Sequence, residues 1–274
     1  MPEKGFAFWE QMAKRMVDAQ APGLAGMVRG LGQVGFFRDG WQSDFIDQLL
    51  NIYLLVNAYK NRETLPDLLQ QDVRTWIGFT QSQEELKQQT GVTDTWLVLS
   101  KQSSEDDNLT VERYWLHGVE TGQYALILQF LFRGNGGEIS LTPGMYVQAE
   151  LVYYPSVSPL RAIIKRQIST NPASPKKVYA HWREVVENET RINVQLPFNF
   201  QRPYIIKRVT PVKYQNGWWL LDENNDLVQI KEGFQNIWKL LAISGGKPVD
   251  AAIVGKENQF EPIGVWDNET YKSL

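Results

Sequence analysis

Two spacings of apolar residues divide the chain. From Phe8 onward they recur every three or four positions: Phe8, Met12, Met16 and Ala19 share one face of a helix over Gly5 to Gln20, and Pro22 starts a second helical piece. After the bend Gly30-Leu31-Gly32-Gln33-Val34-Gly35, Ser43 is placed to cap a long helix through Tyr59. Pro66 opens another helix in which Leu68, Leu69, Val73, Trp76 and Ile77 keep helical spacing to Gly78, and Ser82 precedes a short polar helix. The spacing then switches to two. Tyr124, Leu126, Leu128, Phe130 and Phe132 share one side of a strand, as do Met145, Val147, Ala149, Leu151 and Tyr153. Thr95 to Lys101 and Leu109 to His117 read as an antiparallel pair across an acidic turn, and Leu160 to Arg166 as a further strand. Because the connections are short, an antiparallel meander is the economical topology.

Past a Ser-, Asn- and Pro-rich stretch at 169–175, a helix is expected from Ser174-Pro175 to about Asn188. Strands follow at Tyr204 to Tyr214 and Trp218 to Asp222, with Asn216-Gly217 as the tight turn, then at Leu227 to Ile230, Val249 to Val254 and Ile263 to Trp266. Phe234 to Leu241 is a short helix, and no internal repeat is visible. The expected fold class is α+β: an N-terminal helical region packed on a largely antiparallel β body, with a C-terminal mixed α/β segment. The expected divisions are 1–92, 93–170 and 171–274, the last two able to form one domain.

Composition narrows the chemistry. Zero cysteines removes disulfides, thiolate nucleophiles, iron–sulfur clusters and cysteine-based zinc sites, and leaves two histidines as nitrogen ligands. A net charge of −3 gives no global attraction to phosphate. No secretory signal or membrane span is visible, which places the chain in the cytoplasm with no membrane partner.

Candidate chemistry is sparse. His117 with Glu120 is a weak acid–base pair, and His181, Glu184 and Glu187 read more simply as a solvated helix face than as metal ligands. Glu105, Asp106 and Asp107 make a solubilising turn. Gly134-Asn135-Gly136-Gly137 and Ser244-Gly245-Gly246-Lys247 lack the spacing of a phosphate loop and read as turns. No catalytic residue, cofactor site or metal site is assigned. Arg161, Lys165, Arg166, Lys176 and Lys177 form the candidate nucleic-acid surface, with Lys207, Arg208 and Lys213 beside Tyr204 and Tyr214 further on.

Two stretches carry a resemblance. One is the run from Phe8-Trp9-Glu10-Gln11-Met12 through Ala21-Pro22-Gly23-Leu24-Ala25. The other passes through Trp115, Gly118, Thr121-Gly122, Pro143-Gly144 and Ala149-Glu150-Leu151 to Tyr154-Pro155-Ser156, with Pro159-Leu160-Arg161-Ala162 and Ala242-Ile243-Ser244-Gly245-Gly246-Lys247-Pro248 beyond it. Together they resemble the region downstream of the zinc finger in bacterial SWIM zinc-finger proteins; the Cys-x-Cys, Cys-x-His finger itself is absent from this chain. The resemblance implies a part in a larger assembly, with another protein or an upstream zinc-finger segment as partner. The resulting expectation is a non-enzymatic protein-interaction module, with nucleic-acid binding as the alternative and hydrolytic enzyme third.

Overall fold

The structure is a computed structural model and describes residues 3–35, 40–79, 81–106, 109–132, 139–169, 177–198, 201–256 and 259–274. Ser174-Pro175, Lys176, Asp107 and Gly134 to Gly137 lie outside the described residues. The chain forms two compact units, one of Met1–Ser82, Pro155–Ser158 and Leu196–Phe198, the other of Gln83–Tyr154, Pro159–Gln195 and Asn199–Leu274. The fold class is the expected α+β, with helices first and a mostly antiparallel body after them.

The first unit is built on four helices, α1 (Glu3–Asp18), α2 (Pro22–Gln33), α3 (Trp41–Lys60) and α4 (Asp67–Ile77). Pro22 sits in the first turn of α2, where a missing N–H costs nothing. Gly23 and Gly78 permit the close approach of α2 to the end of α4: a Cβ on Gly23 would lie 2.2 Å from the Trp76 carbonyl oxygen. Gly78, at φ 114°, also ends α4 in a left-handed cap. The expected Ser43 cap is not used; α3 starts two residues earlier, with Gly40 before it and no side-chain cap. Ala21, Leu55, Val73 and Ile77 form the core together with Leu196 and Phe198, which arrive from far along the sequence. Val157 packs there too, and its N–H donates to Asp72 Oδ2 at 2.9 Å.

In the second unit, α5 (Gln83–Lys87) precedes five strands: β1 (Val92–Asp106), β2 (Leu109–Gly118), β3 (Tyr124–Phe132), β4 (Tyr146–Tyr153) and β5 (Arg161–Ser169). They close into a barrel of order β1-β2-β3-β5-β4 rather than a meander. The overturning feature is the parallel pair of β3 with β5, at Leu126–Arg161 and Ile127–Ala162; every other pair is antiparallel. Closure removes the exposed edges that a meander would leave. It is made by β1, which pairs with β4 over Val92 to Leu97 and with β2 from Trp96 to Asp106, the second pairing interrupted by a bulge at Val98/Ser100.

The remaining elements are α6 (Trp182–Gln195), β6 (Arg202–Tyr214), β7 (Gly217–Leu221), β8 (Leu227–Ile230), α7 (Ile237–Ser244), β9 (Val249–Lys256), β10 (Gln259–Asp267) and β11 (Thr270–Ser273). The helix expected to end near Asn188 spans Trp182–Gln195 instead. The β6–β7 turn places its positive φ at Gln215 (52°), and Gly217 already belongs to the strand. β6 to β10 repeat the first circuit. β6–β7, β7–β8, β10–β9 and β9–β6 are antiparallel, and β8–β10 is parallel at Gln229–Gln259 and Ile230–Phe260. Again the first strand is the hinge of the ring, Arg202 to Val209 pairing with β9 and Thr210 to Tyr214 with β7. So the chain carries a topological repeat that its sequence does not show. Both rings have the strand order and senses of the five-stranded oligonucleotide/oligosaccharide-binding barrel, which establishes architecture and not activity.

The barrels pack on each other. Leu97, Leu99 and Trp115 on the outside of the first meet Ile205, Ala252, Val254, Ile263 and Tyr271 of the second. The Tyr271 hydroxyl donates to the Leu99 carbonyl at 2.7 Å, and the Ile205 N–H donates to the Tyr124 hydroxyl at 2.8 Å.

Candidate functional site

Three surfaces stand out, each set by which side of an element the fold leaves open. On α3 only Leu55 is fully buried, whereas Ile46, Leu49, Leu50, Tyr53 and Leu54 are between 43% and 64% exposed. Their i, i+3, i+4, i+7 and i+8 spacing puts them on one face, and that face is the outer one. Scattered exposed apolar residues are ordinary; five large ones on one helical stripe are not.

The second surface is on the first barrel. The alternating set on β3 points outward, while Ala125 and Ile127 fill the interior. Tyr124 and Leu126 are covered by the second barrel, but Phe130 and Phe132 stay 51% and 56% exposed. Register places Val111 opposite Phe130 and Arg113 opposite Leu128, and Arg113 Nη1 donates to Ser104 Oγ at 2.7 Å. Beneath this face, inside the barrel, the Glu112 carboxylate takes Lys101 Nζ at 2.6 Å, the Tyr114 hydroxyl and Gln129 Nε2 at 3.1 Å. Burial pushes the Glu112 carboxyl up, but the bonds from Lys101, Tyr114 and Gln129 outweigh it and hold it below its usual range.

The third surface is on the second barrel. A hollow of about 630 Å³ lies between α6 and the β7–β8 strands, lined by Arg183, Val186, Glu187, Trp219, Leu227 and Gln229 among others. A second, of about 330 Å³, is lined by Tyr214, Asn216, Trp218, Trp219, Gln229 and Phe234 with their neighbours. The two share Trp219 and Gln229, which face each other across β7 and β8. Trp238, 74% exposed, stands over Trp218 with ring centroids 6.4 Å apart.

The histidines do not form a reactive centre. His117 is fully buried with its ring tilted 46° to that of Tyr124 at 4.8 Å, and neither ring nitrogen has a hydrogen-bond partner among the described residues. Burial pushes its pKa down to about 4 against an opposing pull from Asp94. Asp94 rather than Glu120 is the nearby acid: it receives the N–H groups of Glu120 and Thr121 and the Thr121 hydroxyl, pinning the β2–β3 turn. His181 Nδ1 lies 3.9 Å from Asp222 Oδ2, Glu184 accepts the Ala180 N–H, and Glu187 lines the larger hollow, so these three do not converge. Among the described residues no group of three His, Asp or Glu is placed to hold a metal ion. Ser244-Gly245-Gly246-Lys247 is the left-handed end of α7.

The basic candidates are spread along the first barrel. Arg161 lies over the Tyr154 ring at 4.5 Å, Lys165 Nζ reaches Glu150 and the Gln89 carbonyl, and Lys177 Nζ donates to the Thr121 carbonyl. Arg166 is exposed, and Lys176 is outside the described residues. Arg161 and Lys177 lie toward the β2–β3 turn, whereas Lys165 is midway along β5, beside the segment that precedes β1. Sequence reading did not single out Trp219, Gln229 and Trp238 as a group, since nothing local says that they meet.

No helix among the described residues is long and apolar enough to cross a membrane. No curated protein and no solved structure matches the chain. The helical part does have a match: residues 1–77, which hold α1 to α4, fit the family model of the SWIM-associated four-helix bundle domain, consistent with the region that follows a SWIM zinc finger.

Proposed function

We propose that the chain is a non-enzymatic protein-interaction module that works within a SWIM-associated assembly. The observation that carries this reading is the exposed α3 stripe, Ile46, Leu49, Leu50, Tyr53 and Leu54, in the part of the chain that matches the family. Apolar side chains left in water gain about 1.5–3 kcal/mol each when fully buried, so a partner helix or groove has much to gain by covering this face. A substitution pair, Leu50→Asp with Tyr53→Asp, tests it. Both residues are half or more exposed, so the thermal midpoint should hold while a partner recovered with the parent from native extract is lost. Equal recovery by parent and variant, or no partner with the parent, sinks the reading.

A second reading, single-stranded nucleic-acid binding, is supported by the barrel topology with Phe130 and Phe132 two residues apart on β3 and Arg113 alongside. It ranks lower because Lys101, Lys165, Arg208, Lys231 and Lys272 are each spent on a carboxylate within the chain. Changing Arg161, Lys165 and Arg166 to Ala should weaken oligonucleotide binding and flatten its salt dependence if phosphate is tracked there. Unchanged binding removes that surface.

A further inference from the structure

We propose that the two neighbouring hollows on the second barrel, which share Trp219 and Gln229 as lining, form a binding trough for a proline-rich polypeptide segment carrying a basic side chain. The aromatic rings supply the geometry. Tyr214 and Trp219 meet at 75° with centroids 6.0 Å apart, and Trp218 and Trp238 meet at 73°. Two rings near a right angle make a corner, and a pyrrolidine ring is flat and apolar enough to seat in one. A polyproline II helix returns to the same face every three residues, so more than one proline can meet the aromatic lining of the trough. Such a segment is already extended and stiff, and it loses little freedom on binding.

The polar groups fit the same occupant. A polyproline helix makes no internal hydrogen bonds, so its carbonyls need donors. The Gln229 and Asn216 carboxamides line the trough, and neither has a hydrogen-bond partner among the described residues. Trp219 Nε1 is taken by the Tyr214 carbonyl at 3.2 Å, which fixes its ring as a wall. The lining carries Glu187, Asp226 and Glu232 against Arg183 and Lys231, and Lys231 is held by Glu261 at 3.4 Å. The excess is negative, which attracts a cationic side chain and repels a phosphate backbone. This site lies in the barrel unit and does not depend on the α3 reading.

The test is calorimetric titration of the full chain with a synthetic proline-rich peptide containing one arginine, beside its arginine-to-glutamine version, a β-linked glucose oligosaccharide and oligo-dT. Trp238→Ala is the first variant, because so exposed a ring leaves the fold unchanged, as circular dichroism will verify. It should weaken the arginine peptide roughly 10-fold or more. Glu187→Lys should weaken the arginine peptide several-fold and leave the glutamine version unaffected, whereas the α3 double variant should bind both as the parent does. Absence of peptide binding, binding indifferent to Trp238, or binding of the oligosaccharide or oligo-dT in its place would overturn the proposal.

Discussion

In the first barrel the space between the sheets is filled by Trp96, Val98, Tyr114 and Leu116 and ends on the Lys101–Glu112–Tyr114–Gln129 network. In the second the same circuit encloses Tyr204, Leu220, Ile253 and Phe260, joined by Trp182 of α6 and by Ile237 and Leu240 of α7. Both rings thus bury a carboxylate, Glu112 of β2 in the first and Glu189 of α6 on the Tyr204 hydroxyl in the second, and the second adds the apolar faces of two helices. What they share is a long first strand, 15 residues in β1 and 13 in β6, that breaks register and turns to serve two neighbours. The lesson is that the circuit is specified by where a strand bends and by which face alternates apolar, not by any particular interior residue.

The largest effect should come from emptying either core. Trp96→Ala removes a fully buried indole whose Nε1 bonds the Ala149 carbonyl, and Phe260→Ala removes a ring packed on Trp182 and Tyr204. Each should cost about 3–5 kcal/mol. Denaturant midpoints should fall together in tryptophan fluorescence and in circular dichroism if the barrels unfold as one through their shared face. Separate transitions would show that each barrel is a folding unit of its own.

A middle-sized effect tests that shared face. His117 is beside Tyr124, which carries contact to the second barrel, and Asp94 is the charged group that faces it. Its folded pKa, about 4, is below the unfolded value, so the unfolded chain takes up a proton first as pH falls. The neutral ring's contribution is intact above about pH 6.5 and is lost progressively down to pH 4, by about 3 kcal/mol. A His117→Leu chain should be flatter with pH than the parent by that amount in denaturant titrations. Parallel curves would mean that water or a rearranged loop reaches the ring. The smallest effect belongs to the outer surface. Lys165→Ala breaks the 3.0 Å pair with Glu150 and should change stability by less than about 1 kcal/mol. A larger loss would mean that its bond to the Gln89 carbonyl fastens the segment before β1.

The period-two runs, the two β hairpins and the helical first quarter were legible because each depends on neighbours a few residues apart. Ring closure was not. The β3–β5 pair joins Leu126 to Arg161 across the whole of β4, and nothing near either residue says that they meet. The same limit hid the sidedness of β3: alternation identified Tyr124, Leu126, Leu128, Phe130 and Phe132 as one face, but it is the other face, with Ala125 and Ile127, that joins Trp96 and Tyr114 in the barrel interior. On α3 the apolar residues run nearly all round, so periodicity could not distinguish the stripe that faces the core from the one that faces water.

The Leu196–Phe198 segment has a consequence in time. Synthesis delivers α1 to α4 before either barrel, yet their core includes Leu196 and Phe198, with the Phe198 ring set 5.1 Å from that of Trp76. Elongation at ~5–20 residues per second separates Ile77 from Phe198 by on the order of 6–24 s. Through that interval the helices exist with an apolar socket and nothing of their own to fill it. The whole of the first barrel must therefore be synthesised before the core of the four helices is complete.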